Sequence, residues 1–288
     1  TLGNGSQAEP FRTISHAMIQ VTAGDTVKVD AGSYGETVAI DTNSLALVGA
    51  DSSATVLDFG DSTGGTAALG LFADTQVNLV VQNLRITNSL NGIAWKNVDQ
   101  SVVEDVTVRA NGNRGISTKQ GSDTNIFNGV HALSNDVYGI EIVQSDSVTV
   151  QNSLSKNNLW KGYELDTLNN STFTNNQSIS NGGGSLQRGF ELSNVNYSSF
   201  TNNVSNNNSK QGFRIVNSSN NNFKNNLISS NGADGISLSD TSLRNRFIRN
   251  TVRNNSGEGI NLTRTASFHE APDTNTFRQN RFAGNTSW

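Results

Sequence analysis

A glycine followed by isoleucine, tyrosine or phenylalanine recurs at Gly92, Gly115, Gly139, Gly162, Gly189, Gly212, Gly235 and Gly259, at intervals of 23, 24, 23, 27, 23, 23 and 24 residues. A period of this size restricts the chain to a stacked solenoid, because each unit is too small to bury its own apolar face and must close it against its neighbours. A second signal runs in phase with the first. An apolar anchor (Val80, Val103, Phe127, Val150, Phe173, Phe200, Phe223, Phe247, Phe277) is followed eight residues later by an asparagine (Asn88, Asn111, Asn135, Asn158, Asn181, Asn208, Asn231, Asn255, Asn285). An amide at the same turn of every coil can bond the copies above and below at the roughly 4.8 Å spacing of stacked strands, and asparagine tolerates the left-handed backbone of a sharp corner. The segments GIEI, GYEL, GFEL, GFRI, GISL and GINL alternate as half-buried strands do. Their second and fourth residues are expected to face inward and the third to face solvent, with the glycine at a corner. Helix fits poorly, since the units are short, punctuated by Gly and Asn, and rich in β-formers.

The amino-terminal stretch departs from the period. Pro10 to Val21 (PFRTISHAMIQV) places Phe11, Ile14, Ala17, Met18 and Val21 on one helical stripe. GDTVKVDAGSY and LALVGADSSATVLDF then read as the first short strands. An open solenoid end exposes core and unpaired strand edges, so a helix covering it is expected. Residues 1–26 therefore form a segment with a capping helix, and 27–288 the solenoid. Asn285 completes the repeat signal three residues before Trp288, with no covering segment after it. The native protein is expected to continue, or to be followed by another module.

Composition narrows the function. Twenty Lys and Arg against 24 Asp and Glu leave a net charge of −4, without the broad basic surface that neutralising phosphates requires, so nucleic acid is not an expected partner. No apolar run approaches the roughly 18 residues that span a bilayer, so membrane insertion is not expected either. There is no cysteine, and nothing depends on disulfides.

If each coil is a copy, function sits where the copies differ. The position two residues after each repeat glycine reads Ala94, Ser117, Glu141, Glu164, Glu191, Arg214, Ser237 and Asn261. Three stacked glutamates repel by roughly 0.8 kcal/mol per neighbouring pair at about 5 Å in water, and more where screening is poorer. The residues before each glycine supply a counterweight in Arg114, Lys161 and Arg188, beside Tyr138; four after it come Lys96, Lys119, Val143 and Asp166. The strip is thus either a solvated face of interleaved charges or a site. Two insertions, Gly182 to Gln187 (GGGSLQ) and Arg264 to Asp273 (RTASFHEAPD), would stand on opposite margins of it as walls. Trp160 and Tyr138 lie outside the core pattern and suit the apolar faces of sugar rings, whereas Trp95, at an inward position, reads as core. His16 is on the helix, His131 on a different strand and His269 in the long insertion, which does not assemble a transition-metal site. No cofactor is required; calcium is an option at the glutamate column, since hard cations take carboxylate oxygens.

The opening PF-x-TI…GDTV-x-V-x-AGSY, with N-x3-GI units of about 23 residues, resembles the right-handed parallel β-helix superfamily of polysaccharide lyases, C5-epimerases and related surface proteins over nearly the whole chain. The resemblance implies an all-β, single-stranded right-handed parallel β-helix, secreted or at the cell surface. YGIEIV further resembles the Y-G-F-D-P-H motif of the bacterial mannuronan C5-epimerases, which act on alginate. It places Tyr138 on the family tyrosine, Glu141 on the first aspartate and Val143 on the histidine, while GYELD places Asp166 on the second aspartate. The implied activity is C5 proton abstraction on an acidic, uronate-containing polysaccharide, by a lyase or a C5-epimerase. Tyr138, Glu141, Glu164 and Asp166 are then the catalytic candidates. Arg114, Lys119, Trp160, Lys161, Arg188, Glu191 and Arg214 are the substrate-binding ones. Paired carboxylates would also serve glycoside hydrolysis. A non-catalytic polysaccharide-binding module, or an adhesin or tail-fibre segment, is the alternative; Val143 in the histidine's place favours it. A structural spacer is the third reading.

Overall fold

The structure is a computed structural model that describes residues 3–60, 68–183, 187–239, 241–263 and 274–287. Its strands form three parallel sheets of eleven, eleven and ten strands, and within each sheet every third strand of the chain pairs with the one before and the one after. The chain visits the three sheets in turn and advances one strand per circuit, which makes it a parallel β-solenoid. The first sheet runs from Thr26–Val29 to Thr276–Arg278, the second from Gly32–Tyr34 to Arg281–Ala283, and the third from Val38–Ala39 to Ile260–Thr263.

The inward column of the first sheet is Val27, Leu47, Val81, Val103, Phe127, Val150, Phe173, Phe200, Phe223 and Phe247, all buried. From Phe173 onward the rings of successive coils stack at 4.7, 4.9, 4.6 and 4.9 Å as far as Phe277. Tyr163, Phe190 and Phe213 stack likewise in the third sheet, at 4.4 and 4.5 Å. Each such pair contributes about 0.5–1.5 kcal/mol beyond its burial.

The asparagine ladder is continuous from Asn111 to Asn285. Each Nδ2 donates to the next Oδ1 at 2.8 to 3.1 Å, and that Oδ1 also accepts a ladder backbone N–H, as from Asn135 to Asn158 at 2.9 Å. Three expectations change in detail. The first repeat is one residue out of step: Val81, not Val80, pairs with Val103, and Ser89, not Asn88, occupies the ladder position, donating from its hydroxyl to Asn111 at 2.8 Å. Asn88 bonds Asp58 instead. Second, the ladder asparagines are not the left-handed residues. Those are their predecessors Ala110, Ser134, Asn157, Ser180, Asn207, Ser230 and Asn254, with φ of 50 to 56°. Third, none of the eight repeat glycines has a left-handed φ; they are required by close approach. A Cβ on Gly139 would lie 2.0 Å from Ser155 Oγ and 2.8 Å from the carbonyl oxygen of Gly162.

The helix is shorter than the Pro10–Val21 stripe, spanning Ile14–Met18. Thr13 caps it by accepting from the His16 N–H, and Glu36 accepts the N–H groups of Ile14 and Ser15 at 2.8 and 2.9 Å. It ends before the turn in which the Thr22 N–H donates to Asp25. Ile14 and Ala17 are buried against the first coils. No helix among the described residues is long and apolar enough to cross a membrane.

Candidate functional site: the charged strip of the third sheet

Most strands of the third sheet have four residues, but three in its middle, Tyr138–Val143, Lys161–Asn169 and Phe190–Asn196, have six, nine and seven. Their pairing fixes three outward columns. Tyr138 is in register with Lys161, Glu141 with Glu164 and Val143 with Asp166; Glu164 then pairs with Glu191, and Glu191 with Arg214. Longer ladders hold these side chains on regular backbone, which is where a constellation is placed most reproducibly.

The glutamates face outward as expected, yet they are not solvated: Glu141 is 4% and Glu191 6% exposed. Basic side chains cover them. Glu141 Oε2 lies 2.7 Å from Arg114 Nε and 3.3 Å from Lys119 Nζ, and accepts a hydrogen bond from Ser117 Oγ at 2.6 Å. Glu191 meets Lys161 at 2.9 Å, Arg188 at 2.6 Å and Arg214 at 2.7 Å. Lys161, itself buried, also pairs with Glu164, for which it is the one ion-pair partner among the described residues. The repulsion expected of a glutamate column is therefore offset by interleaved cations, at the desolvation cost that buried pairs carry.

These environments separate the titration behaviour. Burial raises the pKa of Glu164, and Lys161 offsets this only in part, with Glu191 and Glu141 adding to the rise. Burial acts on Glu191 in the same sense, but Lys161, Arg188 and Arg214 outweigh it and hold that carboxyl below its ordinary value. Burial works against the Lys161 ammonium, yet Glu164 and Glu191 carry its pKa above the usual lysine value. Tyr138 is raised, chiefly by burial, against the pull of Lys161. Its ring lies between two cations, with Arg114 Cζ 5.4 Å and Lys161 Nζ 5.1 Å from the centroid, and Trp160 meets it edge-on at 6.1 Å.

The structure thus brings Arg114, Lys119, Tyr138, Glu141, Trp160, Lys161, Glu164, Arg188, Glu191 and Arg214 into one contiguous strip. Asp166 sits on its margin, accepting from Thr167 and Asn194 and forming no ion pair among the described residues. Trp95 is core, 5.8 Å from the Phe127 ring. Of the two insertions, residues 184–186 and 264–273, with His269, lie outside the described residues.

Sequence reasoning put Ala94, Ser117, Lys96 and Lys119 in these columns but missed Phe72 and the hollow above them. The column of glutamates is preceded by Phe72, Ala94 and Ser117, in register. Above these lies a depression of about 320 Å³ lined by Leu69, Phe72, Asn91, Ala94, Trp95, Lys96, Arg114, Ser117, Lys119 and Gln120. The overlooked signal was Gly70, one repeat before Gly92 but followed by leucine.

Fold and strip together define a parallel β-solenoid with a built, mixed-charge face on its third sheet. The profile of the family described as periplasmic copper-binding protein (NosD) matches residues 120–259 and 198–287, which together take in more than half of the chain, and the chain belongs to this family. No curated protein matches it in sequence. Among solved structures, it is similar to the A-module of the Azotobacter vinelandii mannuronan C-5 epimerase AlgE4, at 16% identity and a TM-score of 0.68 over 95% of this chain and 90% of that one. It is also similar to the pectate lyase Pel9A, at 17% identity and a TM-score of 0.65 over 94% and 77%. The alginate lyase from Paenibacillus sp. str. FPU-7 follows at 13% identity and a TM-score of 0.57 over 93% and 96%. At these identities the likeness is one of fold.

The copper of the family description finds no fitting donor set among the described residues. Imidazole, thiolate and thioether ligands are what copper selects. Cysteine is absent from the chain, and its one methionine, Met18, lies on the helix with His16 while His131 lies on the outer face of the second sheet. No three His, Cys, Asp or Glu residues converge among the described residues.

Proposed function

We propose that the protein is a carbohydrate-active β-helix that binds an acidic polysaccharide along the strip and acts on it by proton abstraction at C5 of a uronate, as a lyase or C5-epimerase. The observation that carries this reading is the Tyr138 phenol held between Arg114 and Lys161 beside a carboxylate, Glu164, of raised pKa. Removing a proton next to a carboxylate requires a base, a counter-charge for the developing enolate, and an acid. Glu164 is the base, strengthened by burial. Tyr138, whose pKa is raised, is protonated at neutral pH and is the acid. In epimerisation it returns a proton to the opposite face of C5; in elimination it protonates the departing O4. Arg114 is the counter-charge for the uronate and Glu141 holds it in place, Lys161 fixes the Glu164 carboxylate beside the Tyr138 ring, and Asp166 is a hydrogen-bond acceptor for sugar hydroxyls. Arg188, Glu191 and Arg214 continue the binding face toward the carboxyl end.

No cofactor enters these steps. A calcium ion at the glutamates would have to displace Lys161 or Arg114 from the oxygens they cover. Solved proteins of similar fold include a mannuronan C-5 epimerase, a pectate lyase and a periplasmic alginate epimerase, which supports a uronan substrate and a place outside the cytoplasm. The test is incubation with alginate, pectate and glycosaminoglycans, following ultraviolet absorbance of an unsaturated product and deuterium uptake from solvent at C5. One polymer is expected to give one of these signals; silence across the panel overturns the catalytic reading. A second reading, a binding module without turnover, is favoured by Val143, which carries no proton where the epimerase motif has histidine. It predicts polymer binding that survives Tyr138→Phe, with no product.

A further inference from the structure

We propose that the depression floored by Phe72 and Ala94 is a second sugar subsite, for a carboxylated ring bound on the amino-terminal side of Tyr138, with Lys96 and Lys119 holding its carboxylate. The inference shares with the preceding reading only the substrate class. It starts from side-chain volume. The column that carries glutamates farther along carries Phe72, Ala94 and Ser117 here, and the small side chains of Ala94 and Ser117 beside the Phe72 ring leave about 320 Å³ of open space, at the lower end of what small-ligand sites enclose. The floor is apolar, and the half-buried Phe72 offers a ring to the C–H face of a pyranose.

The rim is cationic, and its cations are loosely held. Lys96 touches Asp74 at 3.2 Å, and its side chain is 47% exposed. Lys119 is 42% exposed and stands 3.3 Å from Glu141, whose carboxylate already has Arg114 and Ser117 at shorter range. The exposed Lys96–Asp74 pair contributes little, and Glu141 keeps Arg114 and Ser117 when the exposed Lys119 ammonium leaves it, so either lysine can turn to a ligand. Lys161 differs: it is buried between two glutamates and has no such freedom. Phe72 lies three coils before Glu141 in register, about 14 Å at one strand spacing per coil. A polymer lying along the strip would therefore engage Tyr138 and this subsite at once.

Isothermal titration of the full chain with short oligogalacturonates and oligomannuronates, against a neutral cello-oligosaccharide, tests the assignment. The acidic oligomers should bind, added salt should weaken them, and the neutral one should not compete. Lys96→Ala with Lys119→Ala should weaken acidic binding at least about tenfold, and Ala94→Trp, which fills the space without removing charge, should do the same. Thermal unfolding indistinguishable from the parent establishes that each variant folds. Acidic binding within twofold of the parent in the double variant, equal binding of the neutral oligomer, or no binding of any acidic oligomer overturns the proposal. The two proposals fail separately. Binding that depends on Lys96 and Lys119 without turnover sinks the chemistry and leaves the subsite. Turnover with an unchanged KM in the double variant sinks the subsite and leaves the chemistry.

Discussion

Between Phe72 and Ser117 the outer face of the third sheet is hollow, rimmed by lysines that are nearly half exposed; between Glu141 and Arg214 the same face is filled by carboxylates under a cover of arginine and lysine. The two stretches share one sheet and one register, although the strands of the filled one are longer. What separates them on the outer face is volume and charge at one column. Ala94 and Ser117 leave space beside exposed, loosely paired lysines, whereas the glutamates draw cations inward and bury them. The same strand register can therefore build a place to hold a ligand and, beside it, a rigid cluster whose protonation is controlled by burial.

The sharpest way to break this comparison is at Tyr138. Tyr138→Phe should lower turnover about 100-fold or more while leaving the affinity of acidic oligomers at the hollow unchanged, measured as product formation alongside titration calorimetry. Next is stability. Glu191→Gln leaves Lys161, Arg188 and Arg214 short of a carboxylate, and denaturant unfolding should show a loss of about 3 kcal/mol. That glutamate's folded pKa is lowered, so its contribution is complete above the ordinary glutamate range and is lost as pH falls through the lowered value. The variant should accordingly flatten the acid limb of the stability curve. Asn158→Ala removes an amide that donates to Asn181, Ala132 and Ser155 and accepts from Asn135, and should cost about 2 kcal/mol in the same assay.

Smaller effects are expected in the hollow. Ala94→Glu turns its column toward the character of the filled stretch. Acidic-oligomer affinity should fall about tenfold, with stability changing by less than about 0.5 kcal/mol, because the site is outward-facing and makes no ion pair to lose. The pH profile of turnover sharpens the other half. With Glu164 as base and its pKa raised, the acidic limb should fall above the ordinary glutamate range, and the alkaline limb, set by Tyr138, above the ordinary tyrosine range.

Most of the fold was legible because the period states it. Glycine spacing and the anchor-to-asparagine interval gave the coil, and inward positions such as Ile140 and Ile142 followed from alternation. Register at the first repeat was not legible, since Val80-Val81 and Asn88-Ser89 offer two phasings and only packing chooses between them. The glycines looked like corners because their crowding comes from the next coil, which sequence order does not display. In the strip, the membership of Tyr138, Glu141, Lys161, Glu164 and Glu191 could be read from their columns. Their burial could not, as it depends on the long arms of Arg114, Arg188 and Arg214 folding back over the carboxylates. The hollow escaped for the opposite reason: it is defined by what Ala94 and Ser117 lack, and Gly70 preceded a leucine outside the repeat signature.

Strand pairing sets each circuit one strand spacing above the last, and from Asn111 onward the amide ladder repeats that step, so distances along the outer face come in whole steps. The molecule is in this respect a graduated ruler. The gap between the lysine-rimmed hollow and Tyr138 cannot drift by fractions of a step under substitution; it changes only when an entire circuit is inserted or removed. A repeat polymer whose own unit length falls out of phase with these graduations would meet one landmark and miss the other.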